Sequence, residues 1–282
     1  MNKAFFTATR AWLIIFTLAM TGMPQTHAAE AAIHLGAVAM DIPAEMINRL
    51  TPMVKYLSQK TGSPVTYQAS PNLTTTVDDL GTNKTQIAYL TPVAYIEAQE
   101  KYGVVPLASP LTRGKTTFNL VIAVRKDSKI KTMQDLRGKK FAFGDEKALL
   151  QQAVVVRAGV KLEDFTSYAF LKHYDNIAKA LINEDFDAGI LKDTVAEKFE
   201  PQGLRIIHIS PPLPSYLFVV NKHLSPEISA RLKSAMLALN TDTPENKAVL
   251  SSLDAGYDGF VAVEDKDYEI VRKLIAPFRN KK

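Results

Sequence analysis

The chain contains no cysteine. That excludes disulfides, thiolate nucleophiles and thiolate metal sites, and with them lipid attachment at a processed N-terminal Cys. An exported chain of this size can do without disulfides if it buries a real core. Tryptophan is almost absent too, and the single residue, Trp12, lies close to the N-terminus. The apolar run at 11–20 is too short for a membrane anchor, which needs about 20 apolar residues. No Lys/Arg run is long enough for a nucleic-acid arm, so no nucleic-acid partner is expected. Catalytic signatures are missing: no G-x-S-x-G, no phosphate-binding P-loop, no dinucleotide fingerprint and no H-E-x-x-H. No nucleophile–base constellation is visible, and the sequence reads as a non-enzyme without cofactor or metal. Asp254, Asp258, Asp265 and Asp267 lack the spacing of a calcium loop and read as a solvated segment.

What is present begins with an export signal. Lys3 and Arg10 precede the apolar run, and Thr26-His27-Ala28 ends in the small residue a signal peptidase needs. Cleavage is expected near Ala28, delivering the protein to the periplasm. Losing residues 1–28 removes two cations and no acid, so the net charge falls by two from +5. With 46% apolar residues and no linker or repeat, the remainder fits two lobes of about 100–150 residues each.

The sequence is organised around one stretch, Gly138-Lys139-Lys140-Phe141-Ala142-Phe143-Gly144-Asp145-Glu146-Lys147. It reads as a buried strand over 140–143 and a loop, followed by a helix over 148–158 that Gly159 stops. Such a loop aims free helix N–H groups out of the carboxyl end of a sheet, where open α/β domains bind ligands. Upstream, strands over 33–38, 65–67 and 87–90 alternate with helices from Pro43, Asn72 and Pro92. This order implies a parallel sheet with right-handed crossovers. Thr91 caps the third helix, with its hydroxyl and the N–H groups of Val93 and Ala94 facing the cleft. A second α/β set follows over 119–209. In it, His173 and Tyr174 open a polar loop at a strand's carboxyl end and are candidate ligand contacts. The Pro-rich segment 210–215 is a stiff connection. The tail through 278 reads as helical and returns to the first lobe. The expected limits are 29–117 plus 217–282 for one lobe and 118–216 for the other.

Several stretches together resemble one family: Leu90-Thr91-Pro92-Val93-Ala94-Tyr95, Val124-Arg125-Lys126-Asp127-Ser128, 135–143, Asp187-Ala188-Gly189 and Ser210-Pro211-Pro212-Leu213-Pro214. The set is similar to the phosphate/phosphite/phosphonate-binding proteins of ABC importers. That resemblance implies an α/β, bilobed periplasmic solute-binding fold (type II), with two three-layer α/β lobes joined by two hinge crossings. It implies a monomer that closes on a small polar solute and presents it to a membrane permease. The alternative is a ligand-sensing accessory protein signalling to a membrane sensor kinase or receptor through the same closure. By resemblance, His173 matches a pocket His, Asp193 an acidic pocket position and Tyr95 a pocket aromatic.

At the ligand loop the sequence departs from the family. A Ser-Thr-Ser-Gly-like run is replaced by Asp145-Glu146-Lys147-Ala148. Two carboxylates with one Lys to offset them oppose a dianion. Weak or no binding of phosphate and of simple phosphonates is therefore expected. The preferred solute carries an amine or hydrogen-bond donors toward Asp145, Glu146 and Lys147, with any negative end toward Thr91 and His173.

Overall fold

A computed structural model of the chain describes Met1 and residues 32–38, 43–147 and 149–279. The expected export signal, the turn at Met40-Asp41, the expected helix start at Ala148 and the terminal Lys281 and Lys282 lie outside them. Strand β1, Ile33–Ala37, is followed by helix α1, Pro43–Thr61. Met46, Leu50, Met53, Val54 and Leu57 form its buried face, at the spacing of a helix with one apolar side. Gly62 ends it at a φ of 73°, a conformation that costs glycine little. Strand β2 (Val65–Gln68), helix α2 (Leu73–Gly81) and strand β3 (Ile87–Leu90) follow. Helix α3, Pro92–Tyr102, starts on Thr91, whose hydroxyl accepts the Ala94 N–H at 3.2 Å. β1 pairs in parallel with both β2 and β3, as the repeated strand–helix order requires.

The sheet does not stay parallel. Strand β4, Val105–Thr112, has no counterpart in the sequence reading, because Pro106 and Pro110 argue against a strand that is paired on both sides. It is nevertheless paired on both sides, with a register shift against each neighbour. The chain then leaves through β5 (Thr117–Phe118) into a second sheet. That sheet is built from β6 (Leu120–Arg125), β7 (Lys140–Phe143), helix α4 (Leu149–Arg157), β8 (Ser167–Phe170), helix α5 (Tyr174–Ile182), β9 (Ala188–Lys192), helix α6 (Asp193–Phe199) and β10 (Leu204–Ile209). It returns through β11 (Leu213–Pro214) to β12 (Leu217–Val220), helices α7 (Pro226–Leu237) and α8 (Pro244–Leu253), strand β13 (Tyr257–Ala262) and helix α9 (Glu269–Arg279). The strand orders are β13-β4-β12-β3-β1-β2 and β10-β6-β9-β7-β8. β5 and β11 pair antiparallel, Leu213 opposite Phe118 and Pro214 opposite Thr117, and tie the two crossings into one ribbon.

The second sheet is apolar on both faces. Phe141, Phe143, Ile122 and Val124 belong to one buried cluster, and Ala142, Val121 and Ala123 to another. Side chains of a strand alternate between faces, so this pattern demands helices on both sides and gives three layers. Gly189 makes one side possible. A Cβ there would lie 2.5 Å from Ile177 Cγ2 and 3.1 Å from the Ala142 carbonyl oxygen.

The structure corrects three readings of the C-terminal part. The tail is not all helix: β13 forms one edge of the first sheet, and α7 and α8 pack on α1 and β13. α9 does not return to the first lobe alone, since it packs on α4 as well as α3. Nor is the Asp cluster solvated throughout, although Asp267 is exposed. Asp254 pairs with Lys192, Asp258 accepts the Gly114 N–H at 2.6 Å, and Asp265 accepts from Tyr95 and Arg272. Among the described residues no helix is long and apolar enough to cross a membrane.

Candidate functional site

The carboxyl ends of the parallel strands from both sheets meet around one cavity of about 420 Å³. That volume is within the usual range for a small-molecule site. From the first sheet come Val38 after β1, Tyr67 on β2 and Thr91 after β3. From the second come Asp145 after β7, Lys172 and His173 after β8, and Lys192 at the end of β9. Helices contribute Met46 and Arg49 from α1 and Leu150 and Gln151 from α4. Phe118 and Tyr216 reach in from the two crossings.

The expected site residues divide by location. Thr91, Asp145, His173 and Tyr174 line the cavity. The Nδ1 of His173 is buried and has no hydrogen-bond partner. Glu146 and Lys147 line, with Asp145, a more open cavity beside it that also touches Asn72 and Thr74. Lys147 Nζ donates across the cleft to the Thr74 hydroxyl. The loop is partly satisfied by its own chain: Asp145 accepts the Lys147 N–H at 2.8 Å, and Gln151 accepts the Gly144 N–H at 2.7 Å. Donors used this way are not available to a solute.

Two expected residues do not reach the wall. Tyr95 is fully buried within α3, stacked edge-on to Tyr268, and its hydroxyl donates to Asp265 at 2.7 Å. Position four of that helix points away from the cleft that Thr91 faces. Asp193 accepts the Asn119 N–H at 2.8 Å and the Thr194 N–H at 2.8 Å, which pins the start of α6 to the first crossing.

The sequence reading missed the cavity's charged and aromatic floor. Lys192, 5% exposed, donates to Asp254 Oδ2 at 2.7 Å. Its Nζ lies 4.9 Å from the Tyr257 ring centroid, 5.7 Å from that of Tyr216 and 6.0 Å from that of Phe118. All three are within the range at which a ring face attracts a cation. Asp254 also accepts from the Thr194 hydroxyl at 3.1 Å and from the Gly256 N–H at 2.9 Å. Burial works against its charge, but Lys192 and these donors outweigh that and hold its pKa below the ordinary carboxylate value. The Tyr89 and Tyr257 hydroxyls share a hydrogen bond of 2.7 Å. Burial pushes the pKa values of Tyr89, Tyr216 and Tyr257 up, so the phenols stay neutral. The one sequence signal was a charged residue ending the apolar strand Ala188-Gly189-Ile190-Leu191-Lys192.

The cavity's two sides come from different sheets, so each ion pair or hydrogen bond across it couples them. Lys192 with Asp254 is one, Thr194 with Asp254 a second, Lys147 with Thr74 a third and Arg113 with Glu197 a fourth.

Comparison with known proteins places this architecture. The phosphate-import protein PhnD of Mycolicibacterium smegmatis is 25% identical over 283 residues, covering 90% of this chain and 86% of that one. The phosphonates-binding periplasmic protein of Escherichia coli is 25% identical over 292 residues, covering 96% and 84%. PhnD1 of Prochlorococcus marinus, solved in complex with methylphosphonate, superposes with a TM-score of 0.80 at 20% identity, covering 88% of this chain and 98% of that one. Residues 35–268 match the profile of the ABC transporter, phosphonate, periplasmic substrate-binding protein family, which spans both sheets and both crossings. The chain belongs to that family of periplasmic substrate-binding proteins of ABC importers.

Proposed function

We propose that this substrate-binding protein takes its solute in the cavity between the two sheets, with Thr91, Asp145, His173 and Tyr174 as contacts. The observation that carries this is the convergence of strand ends from both sheets on one cavity of about 420 Å³. Water takes about 30 Å³ in the liquid, so the space holds on the order of ten waters, more than one tetrahedral oxyanion fills. The solute class is a small oxyanion carrying an organic substituent. Its negative end lies toward the Thr91 hydroxyl and His173, and its donors toward Asp145. Glu146 and Lys147 act at the mouth, where Lys147 bridges to Thr74. Tyr95 and Asp193 support the site from behind through α3 and α6.

The lobes proposed are 29–117 with 217–282 and 118–216, moving about the β5–β11 ribbon as a monomer after cleavage near Ala28. Mass spectrometry of protein taken from its own periplasm should give a mature N-terminus close to Ala29. A soluble protein that retains Met1 would contradict the cleavage.

Calorimetry with inorganic phosphate, methylphosphonate and 2-aminoethylphosphonate tests the solute class. Burying a dianion beside Asp145 is costly. Phosphate and methylphosphonate are therefore expected to bind at least about tenfold more weakly than 2-aminoethylphosphonate, whose ammonium group offsets the repulsion, a difference of about 1.4 kcal/mol. Asp145→Ser with Glu146→Thr should narrow that gap. Micromolar phosphate binding by the unaltered chain would sink the repulsion argument. Stimulation of a permease's ATP hydrolysis by the loaded protein tests the transport partner, and binding to a sensor kinase ectodomain instead would favour signalling.

A further inference from the structure

The floor of the cavity has the composition of a receptor for an organic cation. Three aromatic rings, Phe118, Tyr216 and Tyr257, face a common point, and the Asp254 carboxylate lies beside it. Aromatic faces and one carboxylate are the groups that recognise ligand ammonium ions. Here the point is filled by the chain's own Lys192 Nζ, 2.7 Å from Asp254 Oδ2. Lys192 ends β9 in the second sheet, whereas Asp254 and Tyr257 follow α8 and belong to the first. The cation thus comes from one lobe and the Asp254 and Tyr257 side of its receptor from the other, with Phe118 and Tyr216 on the crossings between them.

We propose that Lys192 is a built-in ammonium that occupies this receptor and sets the specificity of the site. It excludes any solute whose own cationic group would enter the floor. The solute end that faces the floor is therefore uncharged or anionic, and any amine must lie toward Asp145. A second cation beside Lys192 would meet like-charge repulsion in a buried place, with one carboxylate to share. The part of this inference that concerns solute choice rests on the cavity being the solute site. The part that concerns the receptor does not.

Two experiments separate the parts. Lys192→Ala removes three methylenes and the ammonium group, which is the shape of propylammonium. The melting temperature of Lys192→Ala should fall below that of the unaltered protein and rise saturably with propylammonium chloride against equal sodium chloride. The unaltered protein and Lys192→Met, whose neutral chain fills the same space, should not respond. A Lys192→Ala protein that does not gain from propylammonium, or that fails to fold even in its presence, overturns the receptor. So does an equal response from Lys192→Met.

In the second experiment, calorimetry compares 2-aminoethylphosphonate with methylphosphonate. Lys192→Ala should shift the affinity ratio toward the amine by about tenfold relative to the unaltered protein. Binding of both compounds with an unchanged ratio overturns the specificity role. Binding of neither shows that the solute reading fails, and the propylammonium result then decides Lys192 by itself.

Discussion

Lys192 and Asp254 show how much depends on single side chains. Their side chains are 6% and 16% exposed, so the pair is shielded from solvent. Breaking a buried pair by removing one partner costs about 3–5 kcal/mol, because the other charge is left uncompensated. Asp254→Asn should therefore lower the melting temperature by about 10 °C. The pH dependence has a definite sign. The folded-state pKa of Asp254 lies below its ordinary value of about 3.9. Its stabilisation is thus fully present above that value and is lost as pH falls through the folded pKa. Melting curves of the two proteins should converge as pH drops below about 4. Curves that stay parallel down to that range would show that the carboxylate is not a source of stability.

At the scale of elements, helix α5 depends on the absence of a side chain in β9. A methyl group on Gly189 would approach Ile177 Cγ2 to 2.5 Å and the Ala142 carbonyl oxygen to 3.1 Å. The first neighbour can shift, and the second is backbone in the adjacent strand. Gly189→Ala should destabilise by about 1–3 kcal/mol, read from denaturant midpoints at constant slope. Adding Ile177→Ala should recover part of that loss, since residues in contact are not additive. If the double variant is merely the sum of its parts, helix packing is not what keeps this position small. Helix α3 offers a milder case. Thr91→Ala removes the acceptor of the Ala94 N–H, and an N-cap is worth about 1 kcal/mol. If Thr91 also meets the solute, affinity for a bound phosphonate should fall as well.

For the whole molecule, the strand pair formed by β5 and β11 is the narrow part between two broad sheets. A solute touching both sides binds only when they are close, so it shifts the population toward closure by its differential affinity. α9 adds a third link, since it packs on α4 and α3 together. Because the chain has no cysteine, two introduced cysteines, one at each rim, give a uniquely labelled pair. Resonance energy transfer between the labels should rise with saturating solute, with a matching decrease in the radius of gyration. An unchanged transfer efficiency at saturation would exclude hinged closure.

Much of this was legible in the sequence, for physical reasons. Apolar spacing and Asn72, Thr91 and Pro92 as helix starts are local signals, and the elements they predict stand where expected. The strand–helix order gave the parallel cores, and the short apolar strand at 140–143 gave the buried sheet. Thr91, Asp145, His173 and Tyr174 could be placed at the cavity because all follow strand carboxyl ends. What sequence could not supply was long-range pairing. β4 hides behind two prolines, and β13 behind a run of Asp and Gly that resembles surface. Tyr95 turned inward because its hydroxyl had an acceptor 170 positions away in Asp265. Lys192 and Asp254, 62 positions apart, read as an ordinary lysine and a solvated acid until the fold joined them. The chain's local chemistry determined its elements and the end of the sheets at which the cavity opens. The charge and aromatic character of that place were decided only by tertiary structure, because groups from two lobes must be desolvated together before they interact strongly.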